Sequence, residues 1–295
     1  MSIRACVAGI LCCVLLGLGA PLAGAEEPVP EIYSSARVQF QARPLDEFAP
    51  DVVAYLAERE GVMGAAIAIP SLGVVYTTDT SATFHLASVS KVMIMLTLLD
   101  QAAQRGEDLT PYQTALLAPM IIDSDNDAAD ALWEGVGGGD AIASYLQGVG
   151  IEGIAVDSEG YWGASLASPD ALAILLARLI QGETLDERYR AVAMHLMSQV
   201  HPEWRWGATA GLPYDLPSDW TIGVKDGWNP ADDGWWVTSV GFFLPGQEQL
   251  GYTMAILTNE QPSWEYGEAT IETVAALLHD HMAFTAAPYE EHLPY

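Results

Sequence analysis

Residues 85–96 read HLASVSKVMIML and place a lysine directly before a long apolar run. The run continues to Leu99, and its apolar side chains occupy every side of a helix rather than one stripe. Because this helix is too short to cross a bilayer, we expect it to be buried in the middle of the protein. Ser88 and Lys91, three residues apart, then lie on one face at its N-terminal end.

Two interpretations of this Ser-x-x-Lys pair are open. In the structural one, Ser88 or Ser90 caps the helix and Lys91 extends its amine to water. In the functional one, burial at the helix end makes Lys91 lose its proton readily, and the neutral amine activates Ser88 as a nucleophile. A single Ser-x-x-Lys does not decide between them.

Two further motifs favour the functional interpretation. Only two of the eleven basic residues are lysines, and the second, Lys225, begins the triplet Lys225-Asp226-Gly227. Between the lysines, Ser124-Asp125-Asn126 precedes another helical segment. Alone, these triplets also fit a polar turn and a strand end with a surface ion pair. Their order, in a chain otherwise without lysine, indicates a catalytic site.

Together the three motifs resemble those of the class A β-lactamases and penicillin-binding proteins, a superfamily of serine hydrolases. The resemblance extends over residues 45–283. It implies that Ser88 attacks a carbonyl carbon and Lys91 takes its proton. It further implies that Ser124 relays a proton to the leaving group, and that Lys225 raises the local potential and helps to keep Lys91 neutral.

The resemblance also assigns binding roles. Asn126 would hold a substrate amide by hydrogen bonds, and Asp226, Gly227 and Trp228 would border the substrate along the third motif. The backbone N–H groups of Ser88 and Trp228 would form the oxyanion hole. Asp125 is expected to fix its own loop.

Two departures from the family pattern bear on the activity. Class A β-lactamases carry a Glu-x-x-Leu-Asn loop whose glutamate activates the deacylating water, and this chain lacks that loop motif. Glu159 is the one acidic side chain near the expected place, and an exposed turn is its favoured role. Asp226 replaces a hydroxyl donor, so a carboxylate ligand would be repelled if Asp226 faces the cleft. The alternative is that Asp226 points to the far side of its strand.

Tryptophans cluster around the third motif. Either they form an aromatic rim of the cleft, or some of them pack between sheet and helix. The residues concerned are Trp204, Trp206, Trp228, Trp235 and Trp236.

Composition excludes several classes of function. The net charge of −28 would repel nucleic acid and anionic membrane surfaces. All three cysteines lie at positions 6 to 13, so the rest of the chain has no thiol for a disulfide or a metal. The six histidines do not form a His-Glu-x-x-His zinc motif. We therefore expect neither a metal nor a cofactor.

The chain divides into four predicted segments. Residues 1–25 have the charged start, apolar middle and small-residue end of a signal peptide; an uncleaved membrane anchor is the alternative. Residues 26–44 form an extended leader, residues 45–285 a hydrolase domain and residues 286–295 a tail. This organisation predicts a secreted or periplasmic protein, and we expect a monomer.

The pattern predicts an α+β fold. An early hairpin and three consecutive strands before a terminal helix give a five-stranded antiparallel sheet flanked by helices. Residues 88–195 would form a helical subdomain, with the site at its boundary with the sheet.

The primary hypothesis is a secreted serine hydrolase that forms an acyl-enzyme on Ser88 and acts on an amide, ester or β-lactam. The substrate would be a small molecule or a peptide, cell-wall fragments included. Two alternatives remain open: a non-catalytic or slow-turnover domain that binds such ligands, and a true class A β-lactamase.

Overall fold

The computed structural model describes residues 37–213, 218–246 and 250–285. The predicted signal segment, residues 1–25, and the predicted tail, residues 286–295, lie outside these ranges. Within the described ranges, no helix is both long enough and apolar enough to cross a membrane.

The main sheet has six strands, all antiparallel to their neighbours except at one edge. In spatial order they are β1 (Gln41–Pro44), β3 (Val74–Thr77), β2 (Val62–Ile69), β9 (Tyr252–Gln261), β8 (Gly234–Leu244) and β7 (Thr221–Ala231). The α+β class is confirmed, and the predicted hairpin and three-stranded meander are both present. The strand count of five was wrong, because β1, in the predicted leader, pairs in parallel with β3. All four residues of β1 are exposed, so the strand has no alternating apolar pattern.

A second, small sheet joins the helical region to the main sheet. Its strands have two residues each, in the order β4 (Phe84–His85), β6 (Leu166–Ala167) and β5 (Ile154–Ala155). Strand β4 leads directly into the segment that contains Ser88.

The helices enclose one apolar core, and α2 (Lys91–Arg105) lies at its centre with every residue from Lys91 to Leu99 buried. The others are α1 (Pro50–Ala57), α3 (Pro111–Ile122), α4 (Asn126–Val136), α5 (Gly138–Gly148), α6 (Pro169–Ile180), α7 (Glu187–Ser198) and α8 (Trp264–Thr285). Helix α2 packs against α4, α5 and α7, as expected for a helix that is apolar on all sides.

Helices cover both faces of the main sheet. On β9, the Tyr252 hydroxyl lies 2.6 Å from Nδ1 of His279 on α8, whereas the next residue, Thr253, donates to the Ala173 carbonyl on α6. Successive side chains of a strand point to opposite faces, so α8 and α6 lie on opposite sides. The helical region built around α2 adjoins the edge strand β7, and the three motifs meet there.

Candidate active site

A cleft of about 730 Å³ separates the helical region from the edge of the main sheet. It is lined by Ser88, by one face of α4, by loop residues 160–164 and by residues of β7 and β8. The site therefore lies at the predicted boundary between the two regions.

Ser88 lies in a 3-10 turn, Ala87–Ser90, that continues directly into α2. Ala87 before it has a φ of 46°, in the left-handed region that non-glycine residues seldom adopt. The Ser88 side chain is partly exposed in the cleft. Among the described residues its hydroxyl has no hydrogen-bond partner, and it is therefore free to meet a substrate.

Lys91 lies at the floor of the site and is fully buried. Its Nζ donates to the Ser124 carbonyl at 2.5 Å, to Ser124 Oγ at 3.1 Å and to Asn126 Oδ1 at 2.7 Å. The first motif is thus joined to the second by side-chain hydrogen bonds. The alternative in which Lys91 extends to water was wrong, because the amine has protein partners and no exposed surface.

Ser124 occupies an unusual backbone conformation, with a φ of 54°. Such a conformation costs of order 1–3 kcal/mol in a non-glycine residue and persists only where the surroundings enforce it. Here both the carbonyl and the hydroxyl of Ser124 are held by Lys91. The Asp125 carboxylate accepts the Ala128 N–H at 2.7 Å and caps α4, which is the structural role expected for it.

Lys225 joins the third motif to the same point. Its side chain is buried on β7, and its Nζ donates to Ser124 Oγ and to the Asp226 carbonyl, both at 2.9 Å. The structure therefore brings Lys91, Ser124, Asn126 and Lys225 together through hydrogen bonds, and Ser88 and Asn126 line the cleft.

The electrostatic environment favours a neutral amine on Lys91. Burial lowers the pKa of Lys91 to about 7, and the nearby charge of Lys225 acts in the same direction. The carboxylates of Asp125 and Asp130 oppose this shift. Burial lowers the pKa of Lys225 as well. At neutral pH an appreciable fraction of Lys91 is therefore unprotonated and able to accept a proton.

Gly227 lets β7 pass close to the Ser88 backbone. A Cβ atom at this position would lie 2.6 Å from the Ser88 nitrogen and 2.9 Å from the Leu86 carbonyl oxygen, so a side chain there would collide with backbone. This approach brings the main chain at Gly227 and Trp228 alongside the Ser88 N–H. The predicted oxyanion donors, Ser88 and Trp228, are both cleft residues.

Asp226, predicted to border the substrate, does not line the cleft. Its buried carboxylate accepts hydrogen bonds from the Ser239 hydroxyl at 2.5 Å and from the Trp206 N–H at 3.2 Å. Burial raises the pKa of Asp226. The physical reason is the alternation of side chains along β7: because Lys225 points to the site, Asp226 points to the other face.

The tryptophans divide between the two predicted roles. Trp228 and Trp236 line the cleft, and Trp236 stacks on His85 with ring centroids 3.8 Å apart. Trp206 is buried and packs with Trp228 and Trp264. Trp235 packs against the core, whereas the Trp204 side chain lies outside the described part of the protein.

The loop of residues 157–164 places an aromatic ring at Lys91. The Trp162 ring centroid lies 4.8 Å from Lys91 Nζ, and the indole Nε1 donates to Asp130 Oδ1 at 2.7 Å. Glu159 is exposed, and its N–H donates to the Asp157 carboxylate within the turn. Glu159 is therefore a turn residue, the role that the sequence favoured.

Sequence reasoning missed most of the cleft lining, including Asp130, Trp133, Glu134, Tyr161 and Trp162. The α4 residues among them were detectable in principle, because they follow Asn126 at helical spacing. Trp162 lies in an irregular loop, where sequence carries no periodic signal. Within residues 37–213, 218–246 and 250–285, no group of three or more His, Cys, Asp or Glu is arranged to hold a metal ion.

Residues 108–282, more than half of the chain, match the family model described as "Beta-lactamase enzyme family". The chain belongs to the beta-lactamase enzyme family. The matched range contains the second and third motifs, and the helix with Ser88 and Lys91 precedes it. In this family member the two parts are joined through the hydrogen bonds to Ser124.

Known proteins resemble this family member at low identity. The protein named "Putative lipoprotein LppW" of Mycobacterium tuberculosis is 25% identical over 211 residues, which cover 68% of this chain and 66% of that protein. The chain thus spans about two thirds of the relative's length.

Solved structures share the fold. A class A beta-lactamase from Bacteroides cellulosilyticus aligns with a TM-score of 0.66 and 20% identity, over 81% of this chain and 98% of that one. The TLA-3 extended-spectrum beta-lactamase aligns with a TM-score of 0.69 and 15% identity, over 80% and 98% of the two chains. At these identities the likeness establishes the fold alone.

Proposed function

We propose that this chain is an extracytoplasmic serine hydrolase that forms an acyl-enzyme on Ser88. The observation that carries the proposal is the shared acceptor: both buried lysines donate to Ser124 Oγ at the end of the cleft where Ser88 is exposed. A structural role alone would not require two buried amines next to each other, because burying each charge is costly.

The proposed acylation uses groups already in place. The Ser88 hydroxyl oxygen forms a bond to the substrate carbonyl carbon while its proton passes to neutral Lys91. The developing oxyanion accepts hydrogen bonds from the backbone N–H groups of Ser88 and Trp228. As the tetrahedral intermediate collapses, the bond to the leaving group breaks and Ser124 transfers its proton to the leaving group. Ser124 regains a proton from Lys91, which took it from Ser88, through their hydrogen bond. Lys225 stabilises the negative charge near Ser124 and disfavours a charged Lys91.

The substrate would be an amide, an ester or a β-lactam, with Asn126 holding a substrate amide. The side-chain nitrogen of Asn126 is still able to donate a hydrogen bond to the substrate, since Lys91 engages only the side-chain oxygen. Export is supported by the N-terminal segment, and the relative that is named a lipoprotein agrees with it. Cell-wall peptides, which such a location would present, are among the candidate substrates, and the protein would act as a monomer.

A second candidate is a slow-turnover protein that binds acylating ligands. It is favoured by Trp162, whose ring lies over Lys91, and by Glu159, which is exposed in its turn. Neither residue supplies a carboxylate that could activate water beside the acyl group. The two candidates share acylation of Ser88 and differ in the rate of deacylation.

Hydrolysis of neutral chromogenic esters and of a chromogenic cephalosporin tests the proposal. Wild-type protein should release chromophore, Ser88→Ala should not, and Lys91→Met should be at least a hundredfold slower, the usual range for loss of a general base. Equal rates in wild type and Ser88→Ala would contradict the proposal. A single stoichiometric burst without turnover would favour the slow-turnover candidate.

A further inference from the structure

The cleft face of α4 carries a row of polar residues that leads away from the catalytic end. The row consists of Asn126, Asp130 and Glu134, which are spaced four residues apart and therefore lie on one side of the helix. All three line the cleft. With a rise of 1.5 Å per residue, Asp130 and Glu134 lie about 6 and 12 Å along the helix axis from Asn126. The two carboxylates thus continue the cleft face of α4 beyond Asn126.

Neither carboxylate forms a salt bridge within the described residues. Asp130 is close enough to Lys91 to favour its charged form, whereas no positive charge is shown acting on Glu134. Asp130 Oδ1 accepts the Trp162 indole N–H, which fixes the carboxylate and leaves its second oxygen without a protein partner in the described part of the chain. The cleft therefore has negative charge at a defined position.

Aromatic residues line the same cleft as these two carboxylates. Trp133 lies between them in sequence on α4, Tyr161 and Trp162 come from the facing loop, and Trp228 and Trp236 line the opposite wall. Ring faces attract ammonium groups, most strongly when these are alkylated and poorly hydrated. Carboxylates and indole rings together are a chemistry that recognises organic cations.

The positive charges of Lys91 and Lys225 do not cancel the preference of the cleft for organic cations. Lys91 and Lys225 are buried and hydrogen-bonded, and neither lines the cleft. Lys91 contacts Asn126, so Glu134, two turns further along α4, is the more distant of the two carboxylates from the lysine charge. The nearer charges act on the ligand more strongly.

We infer that the outer part of the cleft is a subsite for an organic cation of the substrate, an alkylated ammonium group bound by Asp130, Glu134 and the adjacent aromatic rings. The inference rests on the proposed function only for the reaction that follows binding. It names a substrate class for Ser88: acyl compounds that carry positive charge one to two helical turns from the reacting carbonyl.

Binding is tested first in Ser88→Ala, in which acylation is impossible and no hydrogen bond is lost. The probes are acetylthiocholine and its uncharged isostere, S-(3,3-dimethylbutyl) thioacetate, titrated calorimetrically at low salt. We expect the cation to bind at least tenfold more tightly. In Ser88→Ala with Asp130→Asn and Glu134→Gln added, this ratio should fall towards one. Addition of Asp140→Asn instead, an exposed carboxylate outside the cleft, should leave the ratio unchanged.

Turnover of the same two thioesters by the protein with Ser88 intact separates the inference from the proposed function. A charge preference in binding and in kcat/KM supports both. A preference in binding without Ser88-dependent turnover of either compound supports the subsite and contradicts the hydrolase. Equal binding of the two probes overturns the subsite, whatever the turnover. A preference that survives in the Asp130→Asn and Glu134→Gln variant also overturns it.

Discussion

Lys91 and Lys225 share one hydrogen-bond acceptor, the Oγ of Ser124, at 3.1 and 2.9 Å. The residues are 134 positions apart in sequence, on a buried helix and on an edge strand, and both side chains are buried. Two amines so close together cannot both hold a proton cheaply, because each disfavours the charge of the other. Burial lowers the pKa of Lys91 most, and the charge of Lys225 lowers it further.

The pH dependence of acylation should report the Lys91 amine. Because only the unprotonated amine accepts the Ser88 proton, kcat/KM for a neutral ester should rise with pH and level off above the pKa of about 7. Lys225→Met removes a neighbouring charge, so the pKa of Lys91 should rise and the inflection should move to higher pH, with a lower plateau.

Lys225→Arg is the matched control for that shift, since it keeps the positive charge. Its inflection should remain near pH 7. Profiles that coincide in wild type and Lys225→Met would mean that the two amines do not interact.

Lys91 should also affect stability in a pH-dependent way. The folded-state pKa of about 7 lies below the unfolded-state value of 10.5, so folding releases the proton of Lys91 between these values. Below about pH 7 the buried amine is charged, and the full cost of burying that charge lowers the stability of the folded protein. This cost decreases as pH rises and disappears as pH approaches 10.5. The stability of wild type relative to Lys91→Met should therefore rise with pH, by roughly 1.4 kcal/mol per pH unit.

Urea unfolding of both proteins between pH 7 and 9 measures this difference. Changes at titrating groups distant from Lys91 cancel in the comparison, whereas Lys225, which interacts with Lys91, contributes to it. A difference that stays constant across this range would show that Lys91 keeps an ordinary pKa in the folded protein.

Much of this site could be predicted from the sequence, because the structure at each motif depends on residues that are close to it in the chain. The apolar run after Lys91 can only be a buried helix, and Ser124 and Asp125 precede α4 as helix-capping residues do. The two lysines were informative because the chain has no others. Lys91 and Lys225 are buried because Lys91 begins the buried helix α2 and Lys225 lies in the buried part of β7.

The burial pattern of β7 does not give the orientation of Asp226, because the strand is buried on both faces from Ile222 to Gly227. The alternation of side chains does give it: once Lys225 is assigned to the site, its neighbour Asp226 must point to the other face. Strand β1 was missed because its pairing with β3 depends on contacts distant in sequence, and its own residues are all exposed. Trp162 reaches Lys91 from an irregular loop, where residue spacing does not predict position.

Asp226 should matter for stability rather than for charge selection. Asp226→Ala leaves the Ser239 hydroxyl and the Trp206 N–H without their buried acceptor, so the free energy of unfolding should fall by about 3 kcal/mol. Asp226→Asn, which retains an acceptor oxygen, should lose less.

Kinetics with a neutral ester and a carboxylate-bearing ester distinguish this role from substrate binding. Asp226→Asn should change both rates by the same factor. A selective gain of tenfold or more for the anionic ester would mean that the carboxylate acts on the cleft after all.

Deacylation of β-lactam adducts should be slow, because Trp162 rather than a carboxylate lies against Lys91 from the loop. The adduct should accumulate, and Glu159→Gln should leave its lifetime unchanged. Stopped-flow and mass measurements of adduct decay test this. A tenfold longer lifetime in Glu159→Gln, or in Asp130→Asn, would identify that carboxylate as the base that the account lacks.

Peptide mapping by mass spectrometry after reaction with acylating probes identifies the nucleophile. We expect one acyl group per chain, located on Ser88 and absent in Ser88→Ala. Ser90→Ala should still be labelled, although loss of its 2.6 Å hydrogen bond to the Ala87 carbonyl should lower stability by about 1 kcal/mol. An acyl group that maps to Ser124, or labelling that persists in Ser88→Ala, would contradict the account.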